Sequence, residues 1–204
     1  NGKVGYIYIP DMGPEGLNEF SRYFYPQLDK EGLIIDDRAN GGGNVSPMIL
    51  ERLSREPYRL TMRRGSSLIG TVPDAVQVGP KVCLINKYSA SDGDLFPWGF
   101  RALGLGKLIG TRTWGGIIGI SGPLPYMDGT DIRVPFFTSY DPKTGNWIIE
   151  NHGVDPDILI DNDPIKEWNG EDQQLDRAIE EVMKQLKERK PLAPVPAPRD
   201  WSHK

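Results

Sequence analysis

The chain has 204 residues, room for one large domain or two small ones. Apolar residues at 38%, charged residues at 25% and a net charge of −4, with no run of Lys or Arg, describe an ordinary soluble globular protein and count against a nucleic-acid partner. No apolar run nears the ~20 residues that cross a bilayer, so no membrane partner is expected either.

The sequence opens at Asn1-Gly2-Lys3, without a methionine, and enters a strand almost at once. It reads as a piece of a longer polypeptide. Targeting information would then sit outside it; a cytoplasmic setting is favoured, a periplasmic one if a preceding segment carries a signal.

Val4 to Ile9 alternates apolar residues with tyrosines, a strand that stops at Pro10. Leu17, Phe20, Phe24 and Leu28 recur at helical spacing, which predicts a helix over Pro14 to Leu28, with Pro26 ending it early. Gly32 to Asp37 is a short apolar run closing in acids and suits a buried parallel strand. Asn40-Gly41-Gly42-Gly43-Asn44 follows, then a helix over Ser46 to Leu53 with Pro47 in its first turn. Tyr58 to Met62 is a short strand. Arg63 to Pro80, polar and broken by Gly and Pro, is expected to be a surface loop.

Lys81 to Asn86 is the next strand, and its lone cysteine, Cys83, reads as a small buried hydrophobe. A cluster of small residues then opens an amphipathic helix carrying Leu95, Phe96, Phe100 and Leu103. Lys107 to Thr111 and Ile117 to Ile120 are strands on either side of a turn at Trp114-Gly115-Gly116. Asp128-Gly129 is expected as a hairpin turn between Leu124-Pro125-Tyr126 and Ile132-Arg133-Val134. A second turn at Thr144-Gly145-Asn146 leads into Trp147-Ile148-Ile149-Glu150, and Asp157 to Asp161 closes the β region. Leu175, Ala178, Ile179, Val182, Met183 and Leu186 form one face of a helix over Gln173 to Glu188. This order predicts one α/β domain over residues 1–190, with a largely parallel central sheet, a β-rich extension and a C-terminal helix. A Pro-rich tail, residues 191–204, would be extended and free to dock on a partner subunit.

Three stretches carry candidate chemistry. Ser91 sits between a strand and a helix start, where unpaired N–H groups and the positive end of the helix dipole could stabilise an oxyanion. Equally, Ser91-Asp92 could be a plain helix cap. Gly41-Gly42-Gly43 fits a turn, a phosphate cradle lacking the Lys-Ser/Thr of a P-loop, or an oxyanion donor, and the residues alone leave these open. Glu150 is either an exposed carboxylate or part of a relay with His152, two residues on and on the same strand face. His203 lies in the tail. No His/Cys/carboxylate cluster has ligand spacing, so neither metal nor cofactor is expected.

Taken together these motifs resemble the tail-specific (C-terminal processing) peptidase superfamily, and within it the tricorn protease branch. The resemblance runs from about Val4 to Lys187. It includes Gly5-Tyr6-Ile7-Tyr8-Ile9-Pro10-Asp11-Met12, Asn40-Gly41-Gly42-Gly43, Ser91-Asp92-Gly93-Asp94, Leu103 to Gly116, and Glu150-Asn151-His152-Gly153-Val154-Asp155-Pro156-Asp157. It implies a ClpP/crotonase-like α/β spiral. It implies Ser91 as nucleophile, the N–H groups of Gly43 and Asp92 as oxyanion hole, and Glu150 in the charge relay. A substrate peptide would pair with the edge strand around Gly119 and Ile120.

Two departures refine that expectation. Ser/Lys members carry a lysine about 25 residues after the serine; here Gly115 and Gly116 stand there, which excludes that dyad. The tricorn branch takes its base from a His in a segment upstream of a PDZ domain, and neither is in this chain. The resemblance therefore implies partners in the rest of the parent polypeptide, and a homo-oligomer. The position that sets a basic P1 preference in that branch falls near Leu60, which points to apolar P1 side chains. The alternatives are a non-catalytic ligand- or peptide-binding module of the same fold and a crotonase-type acyl-CoA enzyme.

Overall fold

Five parallel strands form the centre of the molecule, and the glycine-rich and serine turns both leave from its strand ends. The computed structural model describes residues 2–63, 65, 68–121, 125–190 and 192–196. In chain order these give β1 (Val4–Tyr8), α1 (Pro14–Phe24), β2 (Gly32–Asp36), α2 (Ser46–Leu53), β3 (Arg59–Met62), β4 (Ile69–Val72) and β5 (Lys81–Ile85). Then come α3 (Asp92–Ala102), β6 (Gly106–Gly110), β7 (Gly119–Ser121), β8 (Val134–Phe137), β9 (Ile158–Leu159), α4 (Pro164–Trp168) and α5 (Gln173–Glu188).

The central sheet runs β1-β2-β5-β6-β9, and every pairing in it is parallel. Helices cover both faces, so β2 and β5 are buried at every residue and are apolar except for Asp36 at the end of one and Lys81 at the start of the other. Side chains alternate between the faces. Leu33, Ile35, Cys83, Ile85 and Leu108 meet Phe20 and Phe24 of α1, Ile49 and Leu53 of α2, and Phe96 and Phe100 of α3. Ile34, Val82, Leu84 and Ile109 meet Ala178 and Val182 of α5. Each of the Val, Leu, Ile and Phe side chains among these contributes about 1.5–3 kcal/mol by leaving water.

Polar groups finish the edges. The Gln27 side-chain amide bonds both the N–H and the C=O of Tyr6, standing in for a neighbouring strand beside β1. Arg38, just beyond β2, donates to Asp36 and also to Asp172, the residue that caps α5. That bidentate clamp ties the start of the glycine-rich loop to the last helix.

Several expectations shift. The first helix stops at Phe24 and passes through a 3-10 turn, Tyr25–Gln27, where Pro26 costs a helical hydrogen bond. Residues 63–80 are not simply a loop: Ile69–Val72 pairs antiparallel with β3. The Asp128-Gly129 turn is present, with Tyr126 N–H bonded to Thr130 C=O, but the strands it joins are β7 and β8. The Ile117–Ile120 strand starts two residues late because its first two N–H groups bond a carboxylate instead. Leu103 is 53% exposed, outside the core face of α3. Helix α4 has no apolar period and rests on its Asp163 cap. Leu124, Pro191 and residues 197–204, with His203, lie outside the described residues.

Candidate active site

Two loops, one after β5 and one after β2, meet at Ser91. The first follows β5. Ser89 Oγ donates to the Asp37 carbonyl, and the Ala90 N–H donates to the Asn40 carbonyl at 2.8 Å, so the serine turn is fastened to the glycine-rich loop. Ser91 itself has φ 57° and ψ −120°, a left-handed conformation that a side chain adopts at a cost of about 1–3 kcal/mol. It holds the capping position of α3, yet its hydroxyl makes no capping hydrogen bond. Ser91 is exposed, and among the described residues nothing occupies its Oγ.

The second loop follows β2. Gly42 has φ +96° and Gly43 φ +152°. A Cβ on Gly43 would lie 2.0 Å from the Met12 carbonyl oxygen, so only glycine lets this loop sit against residues 12–13. A Cβ on Gly42 would lie 2.6 Å from Ser91 Cβ and 2.9 Å from Asp92 N. Met12 N–H donates to Gly42 C=O, and Asn44 N–H to Met12 C=O. That register leaves the Gly43 N–H without an acceptor among the described residues, and the Asp92 N–H, first in its helix, has none either.

Carboxylates pair with main-chain groups of the segments around the two loops. The Asp92 side chain is buried and accepts both the N–H and the hydroxyl of Ser46, joining the N-termini of α2 and α3. Asp94 is fully buried and accepts the N–H groups of Gly115 and Gly116 at 2.7 and 3.2 Å. Glu150 Oε2 accepts the next two, Ile117 and Ile118, at 2.6 and 2.9 Å. Among the described residues no hydrogen bond reaches Glu150 Oε1. Asp37, beside the serine turn, is completely buried, and among the described residues neither carboxyl oxygen is hydrogen-bonded. Burial, then the charges of Asp36, Asp94 and Asp92, push its pKa well above the usual carboxylate range.

The remaining candidates are spread out. His152 bonds Asp155 through Nε2 at 2.7 Å and lines a cavity with Trp98, Ala102 and Leu103, beside the far half of α3. Among the described residues the hydrogen bond of the His152 ring goes to Asp155, and none joins it to Ser91. Leu60 lies on β3, 36% exposed, in the separate β3–β4 hairpin. Gly119 and Ile120 lie on β7, whose only partner among the described residues is β8. Ser46, Asp94 and Asp37 escape a reading of the sequence alone. The acids could have been suspected from two Asp in the first turn of α3 and a charge ending a buried strand. Among the described residues no three His, Cys, Asp or Glu are grouped to hold a metal ion.

A parallel α/β sheet presenting a free serine hydroxyl at a strained strand–helix turn, with unpaired main-chain amides beside it, has the form of a serine hydrolase core. The Peptidase family S41 model matches residues 3–160, and the chain belongs to that family. It is 44% identical to the tricorn protease of Thermoplasma volcanium over 93% of this chain and 18% of that protein. It is 38% identical to tricorn protease homolog 1 of Streptomyces coelicolor over 92% of this chain and 17% of that one. A crystal structure of the tricorn protease superposes with a TM-score of 0.85 at 42% identity, over 91% of this chain and 18% of that chain. This chain thus spans about a fifth of the length of the relatives it matches.

Proposed function

We propose that this chain is the catalytic core of a tricorn-like serine endopeptidase and that its general base comes from a part of the parent polypeptide outside residues 1–204. Ser91 Oγ attacks the carbonyl carbon of the scissile peptide. The base takes the hydroxyl proton and passes it to the leaving amine, and water later releases the acyl group. The negative oxygen of the tetrahedral intermediate sits between the N–H groups of Gly43 and Asp92. Losing one such donor costs on the order of a hundredfold or more in rate. That base is a histidine, and Glu150 helps hold it through a bridging hydroxyl that Oε1 can accept, no other hydrogen bond reaching Oε1 among the described residues. Gly119 and Ile120 pair with the peptide main chain, and Leu60 favours an apolar P1 side chain.

The observation that carries this reading is the unoccupied Ser91 hydroxyl on a left-handed residue, directly against the Gly42–Gly43 turn. A fluorophosphonate probe on the full-length parent tests it. Modification of Ser91, lost in Ser91→Ala together with peptide cleavage, is expected. An inert Ser91 would leave a peptide-binding module of the same fold. The isolated chain is expected to cleave peptides barely at all, and His152→Ala to change nothing; robust cleavage that dies with His152→Ala would overturn the assignment of the base.

A further inference from the structure

Four consecutive main-chain N–H groups, Gly115 to Ile118, end on two carboxylates: the first two on Asp94, the second two on Glu150. Asp94 belongs to the helix that begins at Ser91, and Gly119, the next residue after the four, begins β7. The same stretch is gripped from its other side, since Asn151 N–H donates to the Gly115 carbonyl. Gly115 has φ +88°, and a Cβ there would lie 2.3 Å from the Gly153 nitrogen, so the segment has no room to shift. The charge on Asp94 is therefore spent on a segment 21 and 22 residues away rather than on the first turn of its own helix.

We infer that Asp94 is a positioning residue that sets the distance between the Ser91 hydroxyl and the main chain of a peptide lying along β7. This rests on the reading of Ser91 as nucleophile and of β7 as the peptide-binding edge. A charge-assisted pair of N–H bonds to a buried carboxylate is strong and directional. Replacing it by an amide turns an NH2 toward one of those N–H groups and loosens β7. Small reagents that modify Ser91 without touching β7, such as a fluorophosphonate, are indifferent to that change; long peptides are not.

The test uses the full-length parent with Asp94→Asn. Expected is a labelling rate at Ser91 by a small fluorophosphonate within about twofold of wild type, with KM for extended peptides raised about tenfold or more and the loss growing with peptide length. Amide exchange at Ile118 to Ser121 should quicken while α3 stays protected. Asp94→Glu keeps the charge but moves it by one methylene, so it guards against a variant that fails to fold. It should shift KM in the same sense, whereas a role limited to the helix dipole would leave it like wild type. Unchanged peptide KM in both variants, or labelling and cleavage falling in equal proportion, overturns the inference. A wild-type Ser91 that never labels removes the nucleophile reading instead, and the amide exchange then decides whether Asp94 anchors β7.

Discussion

A side chain begun at Gly42 would meet the Cβ of Ser91 at 2.6 Å. The bend and the serine turn are packed so closely that the smallest addition forces them apart. Gly42→Ala would also meet the Ala90 carbonyl oxygen at 2.7 Å and carry a φ of +96°. We expect it to lower Ser91 labelling in the parent protein at least about a hundredfold, the scale of losing an oxyanion donor. Gly41→Ala, with open space around its Cβ, is the control and should label normally.

Ser46→Ala removes one of the two bonds from the α2 N-terminus to the buried Asp92 carboxylate. A partly unpaired buried acceptor costs about 1–3 kcal/mol. Urea unfolding should show that loss. Because Asp92 also supplies an amide beside Ser91, labelling should slow as well, more than in a surface variant of equal stability.

Asp37 gives a pH signature. Its pKa is raised in the folded protein, while in the unfolded chain it lies near ~3.9. Above that value the unfolded chain releases the proton and the folded one holds it, so rising pH favours unfolding until the folded pKa is passed. Asp37→Asn does not titrate. It should melt above wild type at pH 8, the gap narrowing steadily and closing near pH 4. A gap independent of pH would show that Asp37 is ionised in the fold.

Arg38→Ala strips the charged partner from Asp36, which is 2% exposed and is left with Tyr6 OH and the main-chain N–H of residue 38. Leaving that charge buried costs about 3–5 kcal/mol. Asp172→Ala removes a one-third-exposed partner together with the cap of α5 and should cost less, about 1–2 kcal/mol. Denaturant titration of the two variants checks the order.

The sheet and the last helix are legible in the sequence because their signals are local. β2 and β5 are apolar except at Asp36 and Lys81 since both faces are covered, and α5 carries its core stripe in one segment. The hairpin strand Ile69–Val72 is not legible: it is four exposed or half-exposed residues that depend on β3 for pairing. The site divides in the same way. Ser91 and the glycine run stand out by residue type. What fixes them does not, because Asp94 bonds residues 21 and 22 positions on, Ser46 and Asp92 are 46 apart, and Arg38 reaches Asp172 across 134. Strain at Ser91 is likewise a property of the backbone that no residue type announces.

A structure of the parent protein with a peptide boronic acid would bear most directly on the chemistry. Boron should be bonded to Ser91 Oγ, with one boronate oxygen within about 3 Å of both the Gly43 and Asp92 nitrogens and the peptide running along Gly119 and Ile120. A boronate attached at any other residue, or one whose oxygens face only water, would contradict that chemistry.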